Sequence, residues 1–239
     1  MSVRRHRARV LARAAGFAVA LGIPVAVLAY LVRAEAGPVV PLDETAIAAA
    51  TEFARERGAL RQVLLWWQEA FNARWVNLAV TLACVWVWRR HGLTTRALWA
   101  FGTLMATWAL GLGAKFVVQR ARPVVDDALS HAPGYSFPSG HAMNTSAAAL
   151  VLTLLVWPLL GRRGRVVVAG VAVTAVVVTA LDRVFLGVHY PSDTLAGIAL
   201  GAALVGGSYL GYVGWSPGDL VEPGGRGGGQ APIRDERAR

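Results

Sequence analysis

Hydrophobic positions gather into six long runs, each closed off by arginine, proline or glycine. Ala14 to Val32 holds about 19 residues without a charge, enough to cross a bilayer as a helix. Trp75 to Trp88 is a second run, short for a span, and its pattern extends back toward Ala70. Ala97–Ala114, Ala142–Leu160, Val166–Leu181 and Thr194–Val213 complete the series. The fifth run is rich in valine and has the look of a buried strand, but its length and flanking arginines favour a helix. In the sixth, Gly197, Gly201, Ala202 and Gly206 suit close helix packing. The pattern predicts an all-α, integral-membrane bundle of six transmembrane helices.

The stretches between the runs refine that picture. Residues 34–73 are mixed: Pro38 and Pro41 break the chain, and Asp43 to Arg57 has the charge density of an exposed helix. Leu64, Leu65, Trp66 and Trp67 would sit well at headgroup level, so an amphipathic, interfacial helical segment is expected after the first span. A plain connector over the outer mouth is the simpler alternative. Beyond Trp215, Pro217, Pro223 and the glycines from Gly224 to Gly229 predict a disordered tail. The expected organisation is one six-span domain over residues 1–215 and a disordered cytoplasmic tail over 216–239. The first run also admits a secretory signal cleaved near Ala34-Glu35-Ala36, but it exceeds the roughly 7–15 residues of a signal core, which favours a retained helix.

Composition excludes a soluble domain. Of 239 residues, 55% are hydrophobic and 16% charged, with a mean hydropathy of +0.47. The formal charge of +10 invites a nucleic-acid reading. Yet the arginines cluster between apolar runs, at Arg4–Arg13, at Arg89, Arg90 and Arg96, and at Arg162–Arg165, which is the pattern of cytoplasmic membrane loops. Counting them puts both termini in the cytoplasm and leaves no nucleic-acid partner. The single cysteine, Cys84, gives no intramolecular disulfide framework and no thiolate metal site. Lys115 is the only lysine among 24 basic residues, a hint of a specific need for a compact ammonium.

Three polar islands break the apolar pattern. They are Lys115 to Arg122-Pro123, Pro138-Ser139-Gly140-His141, and Arg183 through His189 to Asp193. The predicted topology carries all three to the outer ends of spans three to six. Pro138 and Ser139 precede an apolar run as helix-start signals, and the amides of a helix start attract anions. Gly140 lets backbone approach a ligand closely. Ser139 alone reads equally well as a helix cap. A carboxylate near a histidine fixes its tautomer, and Pro191 suits the first turn of a helix, placing His189 on a loop and Asp193 just inside span six. Lys115, Arg122 and Arg183 gather three cations on the side where few are expected. A phosphate is the simplest anion to hold them together.

These motifs resemble the type 2 phosphatidic acid phosphatase superfamily, which also holds vanadium-dependent haloperoxidases. Its signature reads Lys-x6-Arg-Pro, then Pro-Ser-Gly-His, then Ser-Arg-x5-His-x3-Asp. All three spacings are met, with Asp182 standing where the family has serine. The resemblance implies that His189 attacks phosphorus, that Asp193 orients it, and that His141 protonates the leaving oxygen and then activates water. It also implies that Lys115, Arg122, Ser139, the Gly140 amide and Arg183 hold the phosphate, with no metal or other cofactor. Asp126, Asp127 and His131 match no strong metal spacing and are taken as solvated loop residues. The expected function is a lipid phosphate or diphosphate phosphatase at the outer face of a bacterial plasma membrane. Candidate substrates are polyprenyl diphosphate, phosphatidylglycerol phosphate and phosphatidic acid. A lipid-linked phosphotransferase and a non-catalytic anion- or phospholipid-binding transporter are the alternatives. Asp182 either pairs with a local arginine or tunes His189, and the sequence leaves both open, as it does the oligomeric state.

Overall fold

Each apolar run becomes helix in the computed structural model, which describes residues 3–124 and 129–215. Eight α-helices follow in order: α1 (Val3–Arg33), α2 (Val39–Arg55), α3 (Gly58–Ala70), α4 (Ala73–His91), α5 (Thr94–Val118), α6 (Gly140–Val156), α7 (Arg162–Phe185) and α8 (Pro191–Trp215). No strand occurs among the described residues, so the valine-rich fifth run is helical. The expected tail, 216–239, lies outside the described residues.

Helix ends follow local chemistry. Gly92, with φ of 68°, terminates α4 in the left-handed conformation that glycine adopts without cost. Asn72 caps the start of α4 by accepting from Arg74 N at 3.2 Å. That cap corrects the expected second span, which starts at Ala73 and not near Ala70. Nor does it stand alone: α1, α5, α6, α7 and α8 are each long and apolar enough to cross a membrane, whereas α3 and α4 qualify only as a pair bent by 51°. The chain is a multi-pass membrane protein, with five such helices among the described residues, or six counting the bent pair as one.

Residue size sets the packing around α8. A Cβ at Gly197 would lie 2.7 Å from Ser139 O, and one at Gly201 would lie 2.7 Å from Met143 O, so α8 rests on the backbone of α6. Farther along, Gly206 receives Phe17 and Gly214 receives Val10, seating α1 on the same helix. Cys84 sits buried in a core shared by α4, α5, α6 and α8, with Leu104, Val151 and Val205. Leucines and valines such as Leu82, Leu98 and Val171 face outward, as a lipid-solvated surface requires.

The polar islands all fall at one end of the bundle, where α5 and α7 finish and α6 and α8 begin. Arg33, at the end of α1, donates to Val117 O at 2.8 Å and so closes α5 at that end. The α2–α3 segment covers it too: Trp67 Nε1 donates to Thr179 Oγ1 at 3.0 Å, and Ala54 and Leu64 pack against Leu186 and Val188. Arg89, Arg90, Arg162, Arg163 and Arg165 lie at the helix ends opposite. Arg96, grouped above with the loop arginines, is instead buried in the first turn of α5 and donates to Leu154 O at 2.6 Å.

Candidate active site

His189 is held by the turn that follows α7. Gly187, at φ of 74°, reverses the chain, and the Val188 and His189 amides both donate to Arg183 O at 3.2 Å. Pro191 then opens α8 and brings Asp193 into its first turn. Asp193 Oδ2 accepts from Tyr190 N at 3.0 Å and lies 3.4 Å from His189 Nδ1. On the far side of the ring, Arg122 Nη1 stands 3.3 Å from His189 Nε2. Arginine offers only donors, so Nε2 must be the acceptor, and Nδ1 carries the proton toward Asp193. Burial pushes the His189 pKa down to about 4, with Asp193 pulling the other way and Arg122 adding to the fall. The imidazole is therefore a neutral base with its free lone pair on Nε2, beside a cation.

The second island supplies a helix start. Ser139 Oγ accepts from Ala142 N at 3.5 Å, so the cap is realised. The same residue's N–H donates to Asp193 O at 3.0 Å, tying the start of α6 to the start of α8. At Gly140 the space of a side chain meets only Lys115 Cε, at 3.8 Å. Lys115 Nζ donates to Tyr135 O at 2.7 Å, which aims the ammonium over that amide. His141 Nε2 is buried without a hydrogen-bond partner among the described residues.

The arginines are braced. Arg122 donates to Gly134 O and Pro133 O at 3.0 Å and to Val188 O at 2.8 Å, joining the loop before α6 to the loop before α8. Burial lowers its pKa while Asp193 opposes the shift. Arg183 gives Nε to Asp182 Oδ2 at 2.8 Å, and its Nη2 reaches the same oxygen. Of the two readings left open for Asp182, the structure shows the arginine pair. Both residues are buried, and Asp182 Oδ1 has no partner among the described residues.

Sequence reasoning missed a supporting network. Arg120 donates to Asp193 Oδ1 at 2.7 Å, to Ser192 Oγ at 2.8 Å and to Asp43 Oδ2 at 2.8 Å, with its guanidinium 3.9 Å from the centre of the Tyr190 ring. Asp43 also accepts from Ser192 N at 3.0 Å. Ser136 Oγ donates to Asp193 Oδ2. The signal was a third cation in the first island, Arg120, and an acid, Asp43, two residues after Pro41. His131 is exposed, and Asp126 and Asp127 lie outside the described residues.

All eight residues expected to act on phosphate thus share one end of the bundle, and most touch directly. The arrangement offers a nucleophilic nitrogen, a second imidazole, a helix-start amide and three cations around one space, a set suited to phosphoryl transfer.

A family model described as the PAP2 superfamily matches residues 96–215. The decaprenylphosphoryl-5-phosphoribose phosphatase of Mycobacterium tuberculosis is 45% identical over 69 residues, 29% of this chain and 33% of that protein. Phosphatidylglycerophosphatase B of Bacillus subtilis is 38% identical over 90 residues, 36% of this chain and 43% of that one. The undecaprenyl-diphosphatase of Sulfolobus acidocaldarius is 33% identical over 100 residues, 39% and 44% of the two chains. These matches span from a third to under half of the relatives' length. Among solved structures, the transmembrane PAP2 type phosphatidylglycerolphosphate phosphatase from B. subtilis superposes with a TM-score of 0.69 at 24% identity. That superposition covers 80% of this chain and 94% of that one, a likeness of fold.

Proposed function

Because the chain belongs to the PAP2 superfamily, we propose that it is an integral-membrane lipid phosphatase that works through a phosphohistidine. The observation that carries this reading is the polarity of His189, with Nδ1–H turned to Asp193 and the Nε2 lone pair beside Arg122. Nε2 attacks phosphorus, forming the P–N bond as the bond to the lipid oxygen breaks, and His141 gives that oxygen its proton. His141 then takes a proton from water, the water oxygen bonds to phosphorus, and the P–N bond breaks to free phosphate. Asp193 stabilises the imidazolium that forms at His189. Lys115, Arg122, Arg183, Ser139 and the Gly140 amide hold the phosphoryl oxygens and neutralise their charge, which makes the reaction metal-independent.

The names of the relatives support a lipid phosphate or diphosphate as substrate. The arginines at the opposite helix ends support cytoplasmic termini and an active site at the outer face of a bacterial plasma membrane. The test is phosphate release from a panel of lipid phosphates by purified protein in detergent with chelator present. Wild type is expected to release phosphate and His189→Ala to lose that activity. Release that survives His189→Ala would refute the nucleophile. Appearance of the phosphoryl group on an added alcohol in place of water would indicate a transferase, and phosphate binding without turnover a transporter.

A further inference from the structure

The buried face of α2 begins with an acid. Asp43, Ile47, Thr51 and Ala54 are the buried residues of that helix, spaced to share one side of it. Ala54 packs with Leu64 against Leu186 and Val188, so apolar contact already docks the helix. Asp43 makes a different kind of contact. Its Oδ1 accepts from Ser192 N at 3.0 Å, and its Oδ2 accepts from the Ser192 hydroxyl and from Arg120 Nη2 at 2.8 Å. The other arm of that guanidinium, Nη1, donates to Asp193 Oδ1 at 2.7 Å. One cation is therefore shared by two buried carboxylates, with the Tyr190 ring covering its face.

These three side chains are unbalanced in charge. An ion pair buried for stability alone would be neutral, and an apolar pair would often serve as well. Asp43, Arg120 and Asp193 together carry one excess negative charge, next to the nucleophile: Asp193 Oδ2 lies 3.4 Å from His189 Nδ1. Attack on phosphorus turns that ring into a cation, with phosphorus on Nε2 and the proton on Nδ1. Arg122 and Lys115, which hold the phosphate, oppose a positive charge there. With Asp43 neutral, Arg120 would be left to Asp193 alone, and a carboxylate fully engaged by a guanidinium accepts more weakly from an imidazole. We infer that Asp43 is a positioning residue for the nucleophile: by drawing one arm of Arg120 away from Asp193, it keeps that carboxylate free to hold the Nδ1 proton and to offset the charge that forms on His189. This inference rests on the phosphatase reading above and adds to it a residue from outside the three polar islands.

Asp43→Asn keeps the shape and an oxygen for the Ser192 amide but removes the charge. Its kcat is expected to fall about ten-fold with KM unchanged, because the groups that hold the phosphate are untouched. In the Asp193→Asn background the same change should cost nothing further, since Asp43 acts through that carboxylate. Ile47→Ala loosens α2 without altering charge and should lower Tm while leaving kcat near wild type. A rise in KM in place of the fall in kcat, additive losses in the double variant, or an equal loss of kcat in Ile47→Ala would each overturn the inference. Asp43→Ser, smaller and also uncharged, gives the same readings should the asparagine variant not fold. Magnetic resonance supplies a readout that needs no turnover. In protein carrying nitrogen-labelled histidine in detergent, the His189 Nδ1–H proton is moved downfield by its bond to Asp193. It should shift upfield in Asp43→Asn and stay in place in Ile47→Ala. If no lipid phosphate is hydrolysed but that shift appears, the phosphatase reading fails and the link from Asp43 to His189 survives. An unmoved resonance in Asp43→Asn would sink the link whatever the activity.

Discussion

Gly197 sets two physical expectations against each other. In a helix interior, replacing glycine by alanine ordinarily stabilises by roughly 1 kcal/mol. At Gly197 the new methyl would lie 2.7 Å from Ser139 O, 3.1 Å from Met143 N and 3.3 Å from Ala142 Cβ. Ordinary contact begins at 3.4 Å, so α6 and α8 would have to part by about 0.7 Å at their crossing. The obstructing atoms are backbone and cannot swing aside, and overpacking of this kind costs about 1–3 kcal/mol. The consequence for chemistry is larger than for stability. Ser139 starts the helix whose next two residues are Gly140 and His141, and its amide is bonded to Asp193 O. Parting the helices therefore moves the phosphate cradle and His141 away from His189, where tolerances are near 0.5 Å. We expect Gly197→Ala to lose about ten- to a hundred-fold in kcat with a lowered Tm. Gly113→Ala is the control, because nothing lies within 4 Å of the added methyl there. Phosphate release and thermal unfolding in detergent would be read side by side. A Gly197→Ala protein as stable and active as Gly113→Ala would refute the argument from close packing.

Arg120→Met would leave Asp43 and Asp193 buried without their shared cation, a loss of about 3–5 kcal/mol measurable by thermal unfolding. Unchanged stability would mean that the network is not formed. Asp182→Ser would release two Arg183 donors now spent on a carboxylate. Product phosphate should then inhibit about ten-fold more strongly, and an unchanged inhibition constant would show that Arg183 does not reach the phosphate. The pH profile follows from His189, whose pKa burial lowers to about 4. The attacking free base persists above that value, so loss of the nucleophile should lower kcat/KM only as pH drops toward 4. An acid limb at the ordinary histidine value of about 6.5 would contradict the buried nucleophile.

Much of this architecture was legible because membranes enforce it. Apolar runs must be helical, and their arginine flanks mark one side, so the helices from α5 to α8 and their shared polar end follow from pattern alone. Gly197 and Gly201 announced close packing, and the structure identifies the atoms that require it. The bend before α4 was less visible: Gln68, Glu69, Asn72 and Arg74 all interrupt the apolar stretch there, and only the structure shows that Asn72 is the one that caps a new helix. Arg120 escaped notice for another reason. Its partners Asp43 and Asp193 lie 77 and 73 residues away, and no local periodicity reports on a charge pair made across that distance.

The central claim is a phosphoryl group carried on His189 Nε2, and trapping that adduct tests it most directly. Protein mixed with a phosphorus-labelled lipid phosphate would be quenched in base, where phosphohistidine survives, digested and mapped by mass spectrometry. Label is expected on the peptide carrying His189, increased in His141→Ala, where the water that would discharge it lacks its base. Label on any other residue would contradict the account, and so would full turnover by His189→Ala.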